Sequence, residues 1–404
     1  MLDTLPTASN VLYASVEQVL SKGDAPATQY LLASTADRRL NMVTWSSNAF
    51  EIACSHTHLQ DSPVLSYTMI RSRYLVLSSM SGRIVLYDCV NDEILQERRD
   101  HTKYVVRVTS LQDADGAFVL TAGWDASVRL YRMTFSDDDK PTLGEAVAIV
   151  TLPTNPQSVL FVEHPDSRTP IIVLSRRDST FLYYYSIPTL TAGHGASTPA
   201  ELQLLGKQNL APHSNAWIAF TPSAIALCPN NPYLVAVATS AMPHMKLIIV
   251  RLLFPTISTT QSTGLVGVPG MSDAHANPPS ISVAHDAPTL TQASQARAAL
   301  AIQNRESAAI QIHCTTMAPQ TPYSTPALAW RPDGSGVWVN SDDGVIRGIE
   351  VSTGKVVASL QGHEPGSKVR CLWSGWVDVG DPASREEWLV SGGFDQRLIV
   401  WRTC

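Results

Sequence analysis

An all-β fold, a closed ring of four-stranded sheets, is predicted by three observations. Residues 387–402, Glu-Trp-Leu-Val-Ser-Gly-Gly-Phe-Asp-Gln-Arg-Leu-Ile-Val-Trp-Arg, repeat the pattern of residues 118–132, Phe-Val-Leu-Thr-Ala-Gly-Trp-Asp-Ala-Ser-Val-Arg-Leu-Tyr-Arg. Both read as strand, Gly-aromatic-Asp turn, strand, and fainter copies recur along the chain, the signature of a seven-bladed β-propeller. The chain also stops after three strands of its last unit. Thr-Leu-Pro-Thr at 4–7 followed by Val-Leu-Tyr at 11–13 parallels Thr-Leu-Pro-Thr at 151–154 followed by Val-Leu-Phe at 159–161, where an outer strand leads into the next blade. Residues 2–5 are therefore expected to supply the missing strand and close the circle, since an open ring would leave two unpaired sheet edges.

Each blade needs four short runs rich in β-branched and aromatic residues, bounded by Gly, Asp or Ser. The first is read at 30–37, 40–45 and 50–54, and the second at 64–70, 74–78, a Ser81-Gly82 turn, 83–87 and 93–96. The third runs from 104–108 through Trp124-Asp125 to Tyr131 and closes at 146–152. The fourth takes 158–162, 171–174, Asp178 and 181–185, with an outer strand near 202–205. The fifth, at 224–228, 233–239 and 247–253, lacks the turn aspartate and finishes at 309–314. The sixth is 326–330, 336–340, an Asp343-Gly344 turn, 345–350 and 356–360; the seventh spans 368–401 with a charged loop near 378–387.

Residues 255–307 shift to Ser, Thr, Ala, Pro and Gly with almost no aromatic side chain. Such a stretch buries too little apolar surface to offset the entropy of ordering, so it is expected to be a flexible insertion within blade five, with 291–306 able to form a short helix. Residues 1–404 are otherwise read as a single propeller. Removing the insertion leaves roughly 350 residues, about 50 per blade.

The chain of 404 residues, 44% hydrophobic and 16% charged, can bury a large core without staples. A formal net charge of −6 supplies no global basic field, so nucleic-acid binding would need a local patch. Six cysteines, at 54, 89, 228, 314, 371 and 404, show no paired spacing and read as free thiols of a reducing compartment. The first residues lack a basic-then-apolar leader, and the most apolar run, 246–254, is interrupted by Arg251 and too short to span a bilayer. A soluble intracellular protein, in nucleus or cytoplasm and without a membrane partner, is expected.

Asp125 and Asp395 each follow a hydroxyl residue (Thr121, Ser391) by four positions and precede an aromatic (Tyr131, Trp401) by six. Each of these blades is preceded by a histidine, His101 in Asp-His-Thr and His363 in Gly-His-Glu. On these residues the chain resembles the WD-repeat β-propellers, best in blades three and seven, fairly in two and six, weakly in one, four and five. The resemblance implies a hydrogen-bonded tetrad of His363, Ser391, Asp395 and Trp401, and a second set of His101, Thr121 and Asp125 in which Tyr131 replaces the tryptophan. Ser81 at the aspartate position of blade two, and Trp45 eight residues after Asp37, depart from the pattern.

His363, Ser391 and Asp395 also carry the residue types of a hydrolase triad. Their duplication as His101, Thr121 and Asp125 argues for scaffolding instead, so no catalytic residue and no enzymatic activity is expected. In Cys54-Ser-His56-Thr-His58, strand alternation places three potential ligands on one face, but no fourth is visible; an exposed blade edge and no bound metal are expected. The acidic Asp137-Asp138-Asp139 loop lacks the glycine turn and distal glutamate of a calcium loop. Gly334-Ser-Gly336 and Gly392-Gly393 are turns, with no helix behind them to cradle a phosphate, so no cofactor or small-molecule substrate is expected. Tyr183-Tyr184-Tyr185 alternates faces along a strand and is assigned to packing before base stacking.

The residue before each turn aspartate faces the propeller rim. Those positions read Met80, Trp124, Arg177, Asp342 and Phe394, with Lys103 and Tyr104 extending the same surface. This composition matches interaction hot spots and points to a protein partner docking a peptide or helix; the alternative places Trp124 and Phe394 against neighbouring loops. The 255–307 insertion and Trp376, on the opposite face, are further candidate contacts. By analogy with the WD-repeat proteins the expected role is a non-catalytic scaffold or adaptor subunit of a larger complex. The alternative, an accessory subunit of an RNA-processing, RNA-modifying or ribosome-biogenesis assembly, requires Arg71, Arg73, Arg83, Arg98, Arg99, Lys103 and Arg107 to gather on one surface.

Overall fold

The computed structural model describes residues 2–22, 26–46, 49–136, 140–189, 199–214, 219–255, 287–379 and 385–402. Seven sheets, each with four antiparallel strands ordered from the axis outward, form the blades of a β-propeller. Blade one is Val11–Val19, Thr28–Thr35, Leu40–Trp45 and Phe50–His56; blade two is Val64–Ile70, Tyr74–Ser79, Ile84–Asp88 and Glu93–Arg98. Blade three comprises Val105–Asp113, Gly116–Gly123, Ser127–Phe135 and Pro141–Thr151. Blade four is Pro156–Glu163, Pro170–Arg176, Phe181–Ser186 and Leu204–Asn209; blade five is Pro222–Cys228, Asn231–Thr239, His244–Arg251 and Ile310–Pro319. Blade six takes Leu328–Trp330, Gly336–Val339, Val345–Glu350 and Lys355–Gln361.

Blade seven joins both ends of the chain. Its Val369–Asp378, Arg385–Gly393 and Arg397–Arg402 are completed by Leu2–Pro6, in register from Leu2 opposite Trp401 to Pro6 opposite Arg397. The Thr7 N–H extends the ladder to the Gln396 carbonyl at 2.8 Å, and Asp3 pairs with Arg402 at 3.0 Å. The closing strand expected from the sequence is thus present.

Several boundaries differ from expectation. The outer strand of blade four lies at Leu204–Asn209, because Ala200–Glu201 instead pairs in parallel with Pro141–Thr151 as a fifth strand of blade three. Blade five ends five residues later than expected, at Pro319. The segment 287–307, read as part of a flexible insertion, belongs to the helix Ala287–Ala309, longer at both ends than 291–306; residues 256–286 and the 137–139 loop lie outside the described residues. Trp376 lies inside the strand Val369–Asp378.

The innermost strands share a device. In six blades the register slips after the first inner pair, between Val11 and Tyr13, Val64 and Ser66, Val105 and Arg107, Pro156 and Ser158, Pro222 and Ala224, and Val369 and Cys371. A bulge there raises the local twist, as radial sheets must twist where they converge on an axis.

The core lies between blades, where one sheet's face meets the next. Val11, Leu31, Ala33 and Val43 of blade one pack on Cys371, Trp388, Val390, Leu398 and Val400 of blade seven. Trp388 is fully buried, with the Trp45 ring 4.9 Å and the Phe50 ring 5.6 Å from it. Leu5 of the closing strand packs against the same cluster. Deleting Leu2–Pro6 would remove these contacts and a five-residue ladder. At ~0.5–1.5 kcal/mol per hydrogen bond, the deletion is expected to cost about 3 kcal/mol or more, read as a lower urea midpoint, with aggregation through the bared Arg397–Arg402 edge.

Candidate protein-binding rim

The loops leading into the blades and the turns between second and third strands lie on one face. In six blades the residue before the turn position donates its N–H to the carbonyl just ahead of the innermost strand: Ala36 to Asn10 at 2.9 Å, Met80 to Pro63 at 3.0 Å, Trp124 to Tyr104 at 2.7 Å, Arg177 to Asn155 at 2.8 Å, Ser240 to Thr221 at 2.9 Å and Phe394 to Lys368 at 2.9 Å. Blade six differs, because its innermost strand is cut to Leu328–Trp330; Asp342 turns instead to the Pro319 carbonyl at 3.4 Å. One backbone bond therefore fixes each rim position, whatever its side chain. Ala36 and Ser240 complete the ring and were missed: Ala36 precedes a visible Asp37, whereas blade five has no turn aspartate to mark Ser240.

Tyr104 and Trp124 come together, and the turn that follows Met80 lies against the Lys103 backbone. Gly82, at φ 84°, seats the blade-two turn directly on the next loop; a Cβ there would stand 2.4 Å from the His101 carbonyl oxygen and 2.8 Å from that of Lys103. The Tyr104 and Trp124 rings stack 5.6 Å apart at 29°, Tyr104 and Lys103 exposed and Trp124 half-buried. A second group links blades six and seven: Asp342 pairs with Lys368 at 3.2 Å and accepts from Ser324 at 2.5 Å, while Phe394, 43% exposed, is anchored through the Lys368 carbonyl. Asp342 is thus engaged within the protein. Arg177 is exposed on blade four.

Behind the rim, blade seven holds a continuous chain of donors. The Trp401 indole N–H donates to Ser391 Oγ at 2.9 Å, the Ser391 hydroxyl to His363 Nε2 at 2.9 Å, and His363 Nδ1–H to Asp395 at 3.0 Å, with the Glu364 N–H also on Asp395 at 3.0 Å. This assignment of hydrogens follows from the network, since the indole can only donate. Burial pushes the His363 imidazole below its ordinary value, against the pull of Asp395, so the ring is neutral at pH 7.

Blade three repeats the pattern with one change. His101 Nε2 meets Thr121 Oγ1 at 2.8 Å and Nδ1 meets Asp125 at 3.1 Å, where the Ser127 hydroxyl at 2.8 Å and the Thr102 N–H at 3.1 Å also converge. Burial opposes ionisation of Asp125, but these donors, His101 foremost, hold its carboxyl well below the usual range. The Tyr131 hydroxyl reaches past this set to donate to Asp100 at 3.0 Å. In blades one and six the turn aspartate pairs instead with an arginine of its own hairpin: Arg39 meets Asp37 at 2.9 Å and Arg347 meets Asp343 at 2.8 Å. In blade two, Ser81 donates to Asp61 of the preceding loop at 2.7 Å, so the carboxylate has changed sides. These partners follow no fixed spacing, which hid them in the sequence.

Most of the cations named for an RNA surface are engaged by acidic side chains. Arg73 faces Asp88, Arg83 faces Glu97, Arg98 faces Asp100 and Glu145, and Arg99 faces Asp61. Arg71 lies over the Phe135 ring, and Arg107 points into the central channel. That channel, about 780 Å³, carries Glu17, Arg107 and Arg370 as its charged lining residues. Tyr184 and Tyr185 are buried, the Tyr184 hydroxyl donating to Gln208 at 2.6 Å; Trp376 is 48% exposed at the other face. His56 and His58 lie beside Asp92 of blade two. Among the described residues no helix is long and apolar enough to cross a membrane.

The family described as UCP007778, beta-propeller domain, matches over residues 11–402. Among solved structures, the crystal structure of Saccharomyces cerevisiae Sqt1 is similar, with a TM-score of 0.56 and 11% identity over 99% of this chain and 98% of that one. At that identity the likeness concerns the fold. No curated protein matches the chain.

Asp395→Ala is expected to cost about 1–3 kcal/mol by stranding the His363 donor, read as a lower thermal midpoint. The pH dependence has a defined sign. A histidine lowered in the folded state takes up its proton more readily when unfolded, so its contribution is complete above the ordinary value of 6.5 and is lost as pH falls below it. Urea titrations are expected to show a steeper stability loss below pH 6.5 in the parent than in His363→Gln.

Proposed function

Because the chain belongs to the family described as UCP007778, beta-propeller domain, we propose that it is a non-catalytic scaffold or adaptor of the WD-repeat kind, binding partner proteins through its rim within a larger intracellular complex. The observation that carries this reading is the stacked Tyr104 and Trp124 pair on the rim. Two stacked rings with an exposed edge stand on positions joined by a backbone bond, with the Met80 turn seated on the neighbouring Lys103 loop. Rigid aromatic side chains bury large area at small entropic cost, so they favour association where they are already in place. Phe394 offers a further anchor on blade seven.

The hydroxyl-histidine-aspartate sets support the same reading. Each histidine is buried and already engaged at both ring nitrogens, and the set occurs in two blades. A ring with both nitrogens committed holds two loops together, whereas a general base would need one lone pair facing substrate.

The test is a double variant. Trp124→Ala with Phe394→Ala is expected to leave the thermal midpoint within about 0.5 kcal/mol of the parent in free-energy terms. Co-purification of the parent's partner from the native source should be lost. Loss of stability with retained co-purification would assign both rings to packing.

A further inference from the structure

We propose that His56, His58 and Asp92 form a divalent-metal site of zinc-binding chemistry that clamps blade one to blade two. The two histidines end the outermost strand of blade one, Phe50–His56, and the residues just beyond it. Asp92 comes from the turn between Ile84–Asp88 and Glu93–Arg98, some 35 positions further along and therefore invisible to a spacing search.

The turn is held in place before any metal arrives. Asp88 is buried, takes Arg73 at 2.8 Å and accepts the N–H groups of Val90 at 2.9 Å and Asn91 at 3.2 Å. Asp92 itself sits at φ 58°, a left-handed conformation that aspartate tolerates better than most side chains. Its Oδ1 lies 3.2 Å from His56 Nδ1 and 3.8 Å from His58 Nε2, and the three ligand atoms all lie within 4.8 Å of one another. Ligand atoms ~2.0–2.2 Å from a tetrahedral zinc stand roughly 3.3–3.6 Å apart, so only a small inward rotation is needed. His58 and Asp92 are exposed and free to make it, while His56 is buried and acts as the fixed anchor.

Surrounding groups orient the ligands. The Tyr87 hydroxyl donates to Asp92 Oδ1 at 2.5 Å, and its ring packs edge-on against His56 at 5.4 Å. Cys54 Sγ lies 3.3 Å from His56 Nε2. A thiol can either donate or accept: without metal it serves the tautomer whose Nδ1–H faces Asp92, and with metal it accepts Nε2–H and leaves the Nδ1 lone pair for the cation. Such outer contacts commonly fix a histidine ligand's ring and tautomer. Two imidazoles with a single carboxylate suit zinc and neighbouring transition metals; calcium and magnesium prefer more oxygen ligands. The fourth position faces solvent and would take water.

The experiment is calorimetric titration of zinc chloride into the full chain after chelator treatment. One zinc per chain is expected. His58→Ala and Asp92→Asn, both at exposed positions, are each expected to weaken binding by about tenfold or more while circular dichroism stays unchanged. The remote His244→Ala should bind as the parent does. Absence of saturable binding overturns the proposal, as does parent-like binding in both His58→Ala and Asp92→Asn. Loss in Cys54→Ser with retention in Asp92→Asn would overturn the assigned ligand set.

Discussion

Closure of the ring is the constraint on which everything else depends. Each blade buries its faces only against its two neighbours, so seven sheets have a complete core only when the seventh meets the first. The chain reaches that state by placing Leu2–Pro6 beside Arg397–Arg402 before Val11–Val19 begins the next blade. The same few residues thus cover an edge and commit blade one to its place against Trp388. A protein organised this way distributes stability around a loop, and local losses near the seam are felt as loss of the circle.

Between blades, polar contacts near the rim complement the apolar core. A leading loop must approach a turn that carries a carboxylate, and a buried carboxylate is costly without donors. The protein meets this requirement with a histidine of the leading loop in blades three and seven, with an arginine of the same hairpin in one and six, and with an exchanged serine and aspartate in two. The rim inherits its rigidity from these contacts. Its side chains vary because the backbone bonds that position them do not depend on side-chain identity, which leaves a surface whose composition can suit a partner at little expense to the fold.

What was legible in the sequence follows from the range of each interaction. The hairpin around Asp395 and the alternation of Phe181–Ser186 are local, so their strands could be read directly. The closing strand was legible because Thr4-Leu-Pro-Thr7 repeats an internal passage. The strand Ala200–Glu201 was not, since two residues carry no periodicity and are recruited by the exposed edge of blade three. Among rim positions, the approach of the Ser81-Gly82 turn to Lys103 depends on Gly82 meeting a neighbouring blade, and Asp342's engagement with Lys368 on a loop seated in another. Asp92's approach to His56 is likewise a product of the ring's geometry. Local pattern predicts the blade; contacts between blades emerge only from assembly.

The most direct test of closure is native-state hydrogen exchange resolved along the chain. If the first strand is integral to the circle, amides of residues 2–5 should be protected to the same free energy as those of Arg385–Gly393 in the same sheet, both opening only with global unfolding. Exchange of residues 2–5 at the rate of an unstructured peptide, with the other blades still protected, would contradict a ring held shut by its first strand.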